Sequence, residues 1–143
     1  MTGTVVDFQR ERNLPTMFFA QAARLGNKPF LWGKGDGGAF TPVTWAAAAA
    51  QVRDLARGLR ALGVGAGDKV ALVAENRPEW LLADLAVMAA GAITVPTYTT
   101  NTVDDHAYIF EHAEAKAVIV SSAALAARVL PAAARAGCAL VIG

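Results

Sequence analysis

The sequence predicts an α/β fold: a mostly parallel sheet with helices on both faces, preceded by a short β-hairpin near the start. Three observations predict it. Four short, nearly continuous apolar runs recur from Lys69 onward, at Val70 to Ala74, Ala92 to Val95, Ala117 to Val120 and Ala139 to Ile142. Strands without polar alternation are expected where a parallel sheet is covered on both sides. Helical stretches separate these runs, and strand and helix in alternation argue for βαβ units. Upstream, two strand-like pieces flank a glycine-rich connection, KGDGGA.

In chain order, Leu14 to Leu25 reads as a helix, with Pro15 near its start and Gly26 as its stop. Phe30 to Gly33 and Phe40 to Thr44 are the two strand pieces of a hairpin spanning 27–44, whose glycines supply the positive φ of a tight connection. Thr44 caps a long helix, Trp45 to Leu62, with Val52, Leu55, Leu59 and Leu62 on one stripe and Arg53, Arg57 and Arg60 away from it. GVGAGD ends that helix. The βαβ region then runs over 69–143, with helices at Pro78 to Ala90, Val103 to Ala113 and Ala123 to Arg135, the last disturbed at Pro131. The stretch WLLADLAVMAA is apolar almost all round and should be covered on every side. With a final apolar run so close to the end, it suggests a folding unit larger than this chain, against the alternative of a small flavodoxin-like domain.

The bulk properties exclude several classes of function. The chain has 143 residues, 13 basic against 12 acidic side chains and a formal charge of +1. This balance leaves no electrostatic footprint for nucleic acid or an anionic membrane. One cysteine, Cys138, rules out an internal disulfide and points to a reducing cytoplasm. The opening MTGTVVDFQRERN carries charge where a leader needs an apolar core. Leu85 to Val103 lacks charge, but its apolar part gives way to Pro96 and threonines after about ten residues, half of what a bilayer requires. A cytoplasmic protein without a transmembrane segment is expected, with peripheral membrane association left open.

Two stretches compete as sites. AENRPEW, residues 74–80, lies at the carboxyl end of a strand, where ligands gather in open α/β sheets. Asn76 with Glu79 also matches a capping box, and Pro78 suits a first helical turn. Helix initiation is the stronger explanation there. PTYTTNTVDD, residues 96–105, offers hydroxyls at a helix N-terminus, where phosphate oxygens are welcome. A T-x-x-D box accounts for Thr102 and Asp105 but leaves Thr99 and Thr100 unexplained. GKGDGG does not match G-x-x-x-x-G-K-[ST], and GVGAGD precedes a strand instead of following one. His106 and His112 are six residues apart, on different helix faces, which suits packing or surface roles better than a metal pair. Cys138 reads as a small core residue. No catalytic set and no metal site emerges.

The segment GDKVALVAENRPEWLLADLAVMAAGAITVPTYTTNTVDDHAYIFEHAEAKAVIV, with TPVTWAAAAAQVRDLARGLRALGV before it, resembles the adenylate-forming (AMP-binding) acyl-CoA synthetases. Within them it is most similar to the long-chain fatty acid–CoA ligases. The landmarks are GDKVAL, ENRPEW, GAITVP and the helix leading into AKAVIV, and their order and spacing carry the match over nearly all of residues 14–142. The resemblance implies a two-step reaction. A fatty acid carboxylate attacks the α-phosphate of ATP with Mg²⁺ present, and the thiol of coenzyme A then displaces AMP. It implies that residues 1–143 are the N-terminal portion of the large domain and inactive alone. The phosphate-cradling loop, the ribose-binding aspartate and the mobile C-terminal domain of relatives come later. In short-chain relatives the loop equivalent to YTTN is glycine-rich and lies near the coenzyme A site, which makes Thr99 and Thr100 the cofactor-site candidates here. Implied partners are fatty acid, ATP and CoA, the remainder of the large domain, and a second copy, since long-chain members can form homodimers through this region. The alternative reading is a non-catalytic α/β binding or dimerisation module.

Overall fold

The computed structural model describes residues 12–35 and 37–143, so the charged opening stretch lies outside the described residues except for Arg12 and Asn13. Two compact units divide the chain, Met1–Ala50 and Gln51–Gly143.

In the first unit, α1 (Leu14–Leu25) starts where the Asn13 side chain accepts a hydrogen bond from Thr16 N at 2.9 Å. It ends at Gly26, whose φ of +53° lies in the left-handed region. The antiparallel strands β1 (Pro29–Lys34) and β2 (Phe40–Thr44) follow, joined by the glycine-rich turn, with Gly35 N donating to Ala39 O. Phe18 on α1, Phe30 on β1 and Trp45 form an aromatic cluster, the last two with centroids 3.9 Å apart. The first turn of the long helix α2 (Trp45–Ala61) is capped by Thr44, whose hydroxyl accepts from Ala47 N at 3.1 Å.

The second unit contains a four-stranded sheet in the order β4-β3-β5-β6, all neighbours parallel. Its strands are β3 (Lys69–Val73), β4 (Ile93–Pro96), β5 (Ala115–Val120) and β6 (Leu140–Ile142). The crossovers are α3 (Pro78–Ala89), α4 (Val103–His112) and α5 (Ala123–Arg135). Strand residues alternate between two faces. Ala71, Val73, Val118 and Val120 share one core with Phe110 of α4 and Val129 of α5. Leu72 and Ile119 point to the opposite face, towards α3 and the second half of α2. Helices on both faces explain why β3 reads VALV with no polar alternation and why Val70 to Val73 are fully buried.

Several expectations are corrected. The Asn76–Glu79 capping box does not form: α3 starts one residue later than the box requires, with Arg77 as its N-cap, whose guanidinium has no acceptor for a first-turn amide and instead pairs with Glu79 at 2.8 Å. Pro131 does not break α5, which continues from Ala123 to Arg135. The carbonyl that would have bonded a residue-131 amide belongs to exposed Ala127, on the solvent side of the helix, where an unpaired acceptor costs little. The α2 stripe divides in two: Val52, Ala56 and Leu59 are buried, whereas Leu55 and Leu62 are 46% and 55% exposed. The α3 helix is fully or partly buried at every position from Trp80 onward. Among the described residues no helix is long and apolar enough to cross a membrane.

Candidate functional site

The strand order creates a topological switch point. From β3 the chain goes through α3 to β4 on one side, and from β5 it goes through α5 to β6 on the other. The carboxyl ends of β3 and β5 therefore flank a crevice of the kind in which open α/β sheets hold ligands. Ser121, just past β5, donates its hydroxyl to the Glu75 carboxylate just past β3. Ser121 N also donates to Val73 O at 3.2 Å, so the two loops are tied together by backbone and side chain. The Ser121 bond holds the Glu75 carboxyl below its ordinary value, and Arg77 does the same for Glu79.

Beside these groups runs an apolar groove of about 720 Å³. Its floor is Leu72 and Ile119, its walls are Leu55 of α2, Leu62 just past the end of α2, and Leu82 and Ala86 of α3, and Arg77 and Ser121 stand at its polar end. The two exposed leucines, Leu55 and Leu62, thus face this groove. Glu75 fixes Ser121 but does not activate it. Among the described residues no hydrogen bond links the pair to a histidine or lysine that could relay a proton.

The second candidate region is the loop between β4 and α4. Thr97 N continues the ladder to Leu72 O at 3.0 Å, and Asn101 N closes a turn onto Tyr98 O at 3.3 Å. Thr102 and Asp105 form the reciprocal capping box that the sequence predicts. Thr102 N donates to Asp105 Oδ2 at 2.9 Å and Asp105 N to Thr102 Oγ1 at 3.2 Å. The amide of Thr102 is the main reason the Asp105 carboxyl lies below its ordinary value. With Asp104 and Asp105 in its first turn, this helix end is already satisfied by carboxylates. Free presentation is left to the Thr100 side chain and to Tyr98, which is 80% exposed, with Thr99 half-buried between them.

Sequence reasoning missed what holds that loop. Arg128 of α5 donates from Nη2 to Thr99 O at 2.8 Å, and His106 Nδ1 lies 3.3 Å from Thr97 Oγ1. His106 is fully buried and stacked on Phe110, and its Nε2 has no hydrogen-bond partner. His112 is exposed and stacks on Tyr108. Cys138 packs against the core as a half-buried thiol, and burial raises its pKa. Among the described residues no group of three or more His, Cys, Asp or Glu could hold a metal ion. The turns at Gly35 to Gly38 and Gly63 to Gly67 both lead into strands instead of opening helices, so neither is a phosphate loop.

Comparison with known proteins places this architecture. The family model described as "AMP-binding enzyme" matches residues 18–142. The long-chain-fatty-acid–CoA ligase FadD15 of Mycobacterium tuberculosis is 45% identical over 78 residues, which are 54% of this chain and 13% of that protein. The chloroplastic long-chain-fatty-acid–[acyl-carrier-protein] ligase AEE15 of Arabidopsis thaliana is 39% identical over 72 residues, 50% of this chain and 10% of that one. Among solved structures, a benzoate CoA ligase from Burkholderia xenovorans superposes with a TM-score of 0.77 at 28% identity, over 90% of this chain and 25% of that chain. The matched stretches are thus a small part of each relative's length.

Proposed function

This chain belongs to the AMP-binding enzyme family, and from that premise we propose that it is the opening part of a long-chain fatty acid–CoA ligase. The whole enzyme joins a fatty acid to ATP with Mg²⁺, releasing pyrophosphate, and passes the acyl group from AMP to the thiol of coenzyme A. The observation that supports the long-chain reading is the similarity to FadD15, which extends over half of this chain. Residues 1–143 are then the N-terminal portion of the large domain, inactive in isolation, with 27–44 as its hairpin and 69–143 as its βαβ units.

The reaction sets demands that sort the residues. Adenylation needs donors and cations around a phosphorus that gains charge as the bond breaks. The carboxylates Glu75, Glu79, Asp104 and Asp105 are the wrong sign for that task, and Arg77 and Arg135 are neutralised by Glu79 and Asp104. Nucleotide and metal are accordingly held by other parts of the ligase, and this segment supplies a rigid sheet. Thr99 and Thr100 contact the thiol substrate through hydroxyl and amide groups. Because the α4 N-terminus is occupied by its own acids, that contact suits the neutral amide-bearing arm of coenzyme A better than its phosphates. The apolar groove beside α2 receives the remainder of the large domain, and a second copy of the enzyme joins through the N-terminal region. The enzyme works in the cytoplasm.

Exchange of segments tests this. Replacing the matching stretch of FadD15 with the corresponding residues of this chain should leave palmitoyl-CoA formation within roughly tenfold of the parent, a rise of about 1.4 kcal/mol at most in the barrier. A folded chimera that no longer forms acyl-adenylate overturns the proposal. The coding frame beyond Gly143 separates the ligase from a free-standing binding or dimerisation module. A Ser/Thr/Gly-rich loop ending in lysine supports the first, and a stop codon the second.

A further inference from the structure

The β4–α4 loop is held from two sides by groups that ordinary capping does not require. Arg128 reaches from α5 across to the Thr99 carbonyl, and the His106 ring reaches back from α4 to the Thr97 hydroxyl. The loop is therefore anchored at Thr97 and at Thr99, and residues 98–101 add one turn bond of their own. His106 occupies a fully buried position in the second turn of an exposed-to-buried helix face where leucine or phenylalanine would satisfy the core at lower cost. Its Nε2 is buried without a partner, so the ring is not present for maximal hydrogen bonding of itself. Its one bond is to the loop.

We propose that His106 and Arg128 are positioning residues for the Thr99–Thr100 loop, and that protonation of His106 releases it. This rests on the reading of Thr99 and Thr100 as contacts for the thiol substrate. The mechanism is electrostatic. The charged groups that act on the ring are Arg128 from α5 and Asp105 from its own helix. Asp105 is already engaged by Thr102, and the sheet presents Ala71, Val73, Val118 and Val120 to this side. A proton on His106 would place an imidazolium in an apolar layer beside a guanidinium, with no free carboxylate to offset it. The neutral ring is favoured for the same reasons, burial first and Arg128 second, which push its pKa below 6.5. A folded value below the unfolded one means that the unfolded or locally opened state binds more protons. Protection is therefore complete above 6.5 and is lost as the pH falls through the folded value. The element that opens at lowest cost is the loop itself, because it has few backbone bonds and its two anchors are the groups in conflict.

Amide hydrogen exchange on the purified 143-residue chain tests this between about pH 7.5 and pH 5, after correction for the intrinsic acid dependence of exchange. The Thr97 amide, which donates to Leu72 O, and the Asn101 amide, which donates to Tyr98 O, should lose protection by roughly tenfold or more towards the acid end, while Val70 to Val73 of β3 stay protected. His106→Asn keeps a polar atom near the Nδ1 position and has no proton to gain, so it should retain loop protection and abolish the pH step. Arg128→Gln should loosen the loop at neutral pH with β3 unchanged. A wild-type loop whose corrected exchange is flat with pH overturns the proposal. So does a step that persists in His106→Asn, or loss of β3 protection in parallel with the loop. Whether coenzyme A alters Tyr98 to Asn101 exchange in the FadD15 chimera is read separately. Silence there removes the thiol-substrate reading and leaves the latch standing.

Discussion

Two substitutions at look-alike helix starts separate the structure from the sequence pattern. Asn76 with Glu79 and Thr102 with Asp105 both have capping-box spacing, but only the second pair bonds. In Thr102→Ala the hydroxyl that accepts from Asp105 N at 3.2 Å and donates to Asp105 Oδ2 at 2.7 Å is removed. The main-chain half of the box, Thr102 N to Asp105 Oδ2 at 2.9 Å, survives. Loss of a side-chain cap costs about 1 kcal/mol, within a range of roughly 0.5–2. Retention of the other half keeps the expected value near 1 kcal/mol. For a urea slope of about 2 kcal/mol/M this lowers the midpoint by roughly 0.5 M without changing the slope. Asn76→Ala removes an exposed side chain that caps nothing, and its midpoint should move by less than about 0.25 M, the scale of a surface substitution. Equal losses at the two positions, or a larger loss at Asn76, would refute the assignment of Arg77 as an uncapped helix start.

Three other outcomes follow from packing and charge. Phe110→Ala empties the centre of the α4–α5 core, where the ring is 1% exposed, and should cost about 3–5 kcal/mol in urea unfolding. Gly91 has a φ of +88°, a conformation that strains any L side chain, so Gly91→Ala should lower stability by about 1–2 kcal/mol, seen as a reduced Tm. Asp68, bonded by Lys116, Glu75, bonded by Ser121, and Asp105, bonded by the Thr102 amide, all have carboxyl pKa values below their ordinary 3.8 to 4.5. Each contributes stability above its unfolded value that is lost as the pH drops through the lower folded value. An acid titration of Tm should therefore steepen below about pH 4.5, and Glu75→Gln should flatten part of that limb.

What could be read from the sequence was what local chemistry controls. The α1 and α5 spans agree with their sequence limits to the residue, because Asn13 and Gly26, and Ser122 and Gly137, punctuate them. The parallel sheet was legible because its strands must be apolar on both faces, and the Thr102 box because both partners lie within one turn. The opening motif misled for the same reason: spacing alone cannot show that the helix starts from Arg77, one residue past Asn76. Strand ends slipped by one or two residues where an apolar run continued past its ladder, as at Ala74 and Ala92. The polar contacts that shape the candidate sites were out of reach. Glu75 with Ser121 and Arg128 with Thr99 are separated by 46 and 29 residues, and only the fold brings them together. Leu55 and Leu62 carried a signal that could have been used. Their stripe is wider than one packed sheet face needs, and the excess lines the groove.

We propose that this segment is the scaffold of an adenylate-forming ligase whose reacting groups lie elsewhere in the enzyme. Palmitoyl-CoA formation by the purified 143-residue chain, supplied with palmitate, ATP, Mg²⁺ and coenzyme A, tests it most directly. No product above the protein-free control is expected, and sustained turnover by the chain alone would contradict the scaffold role.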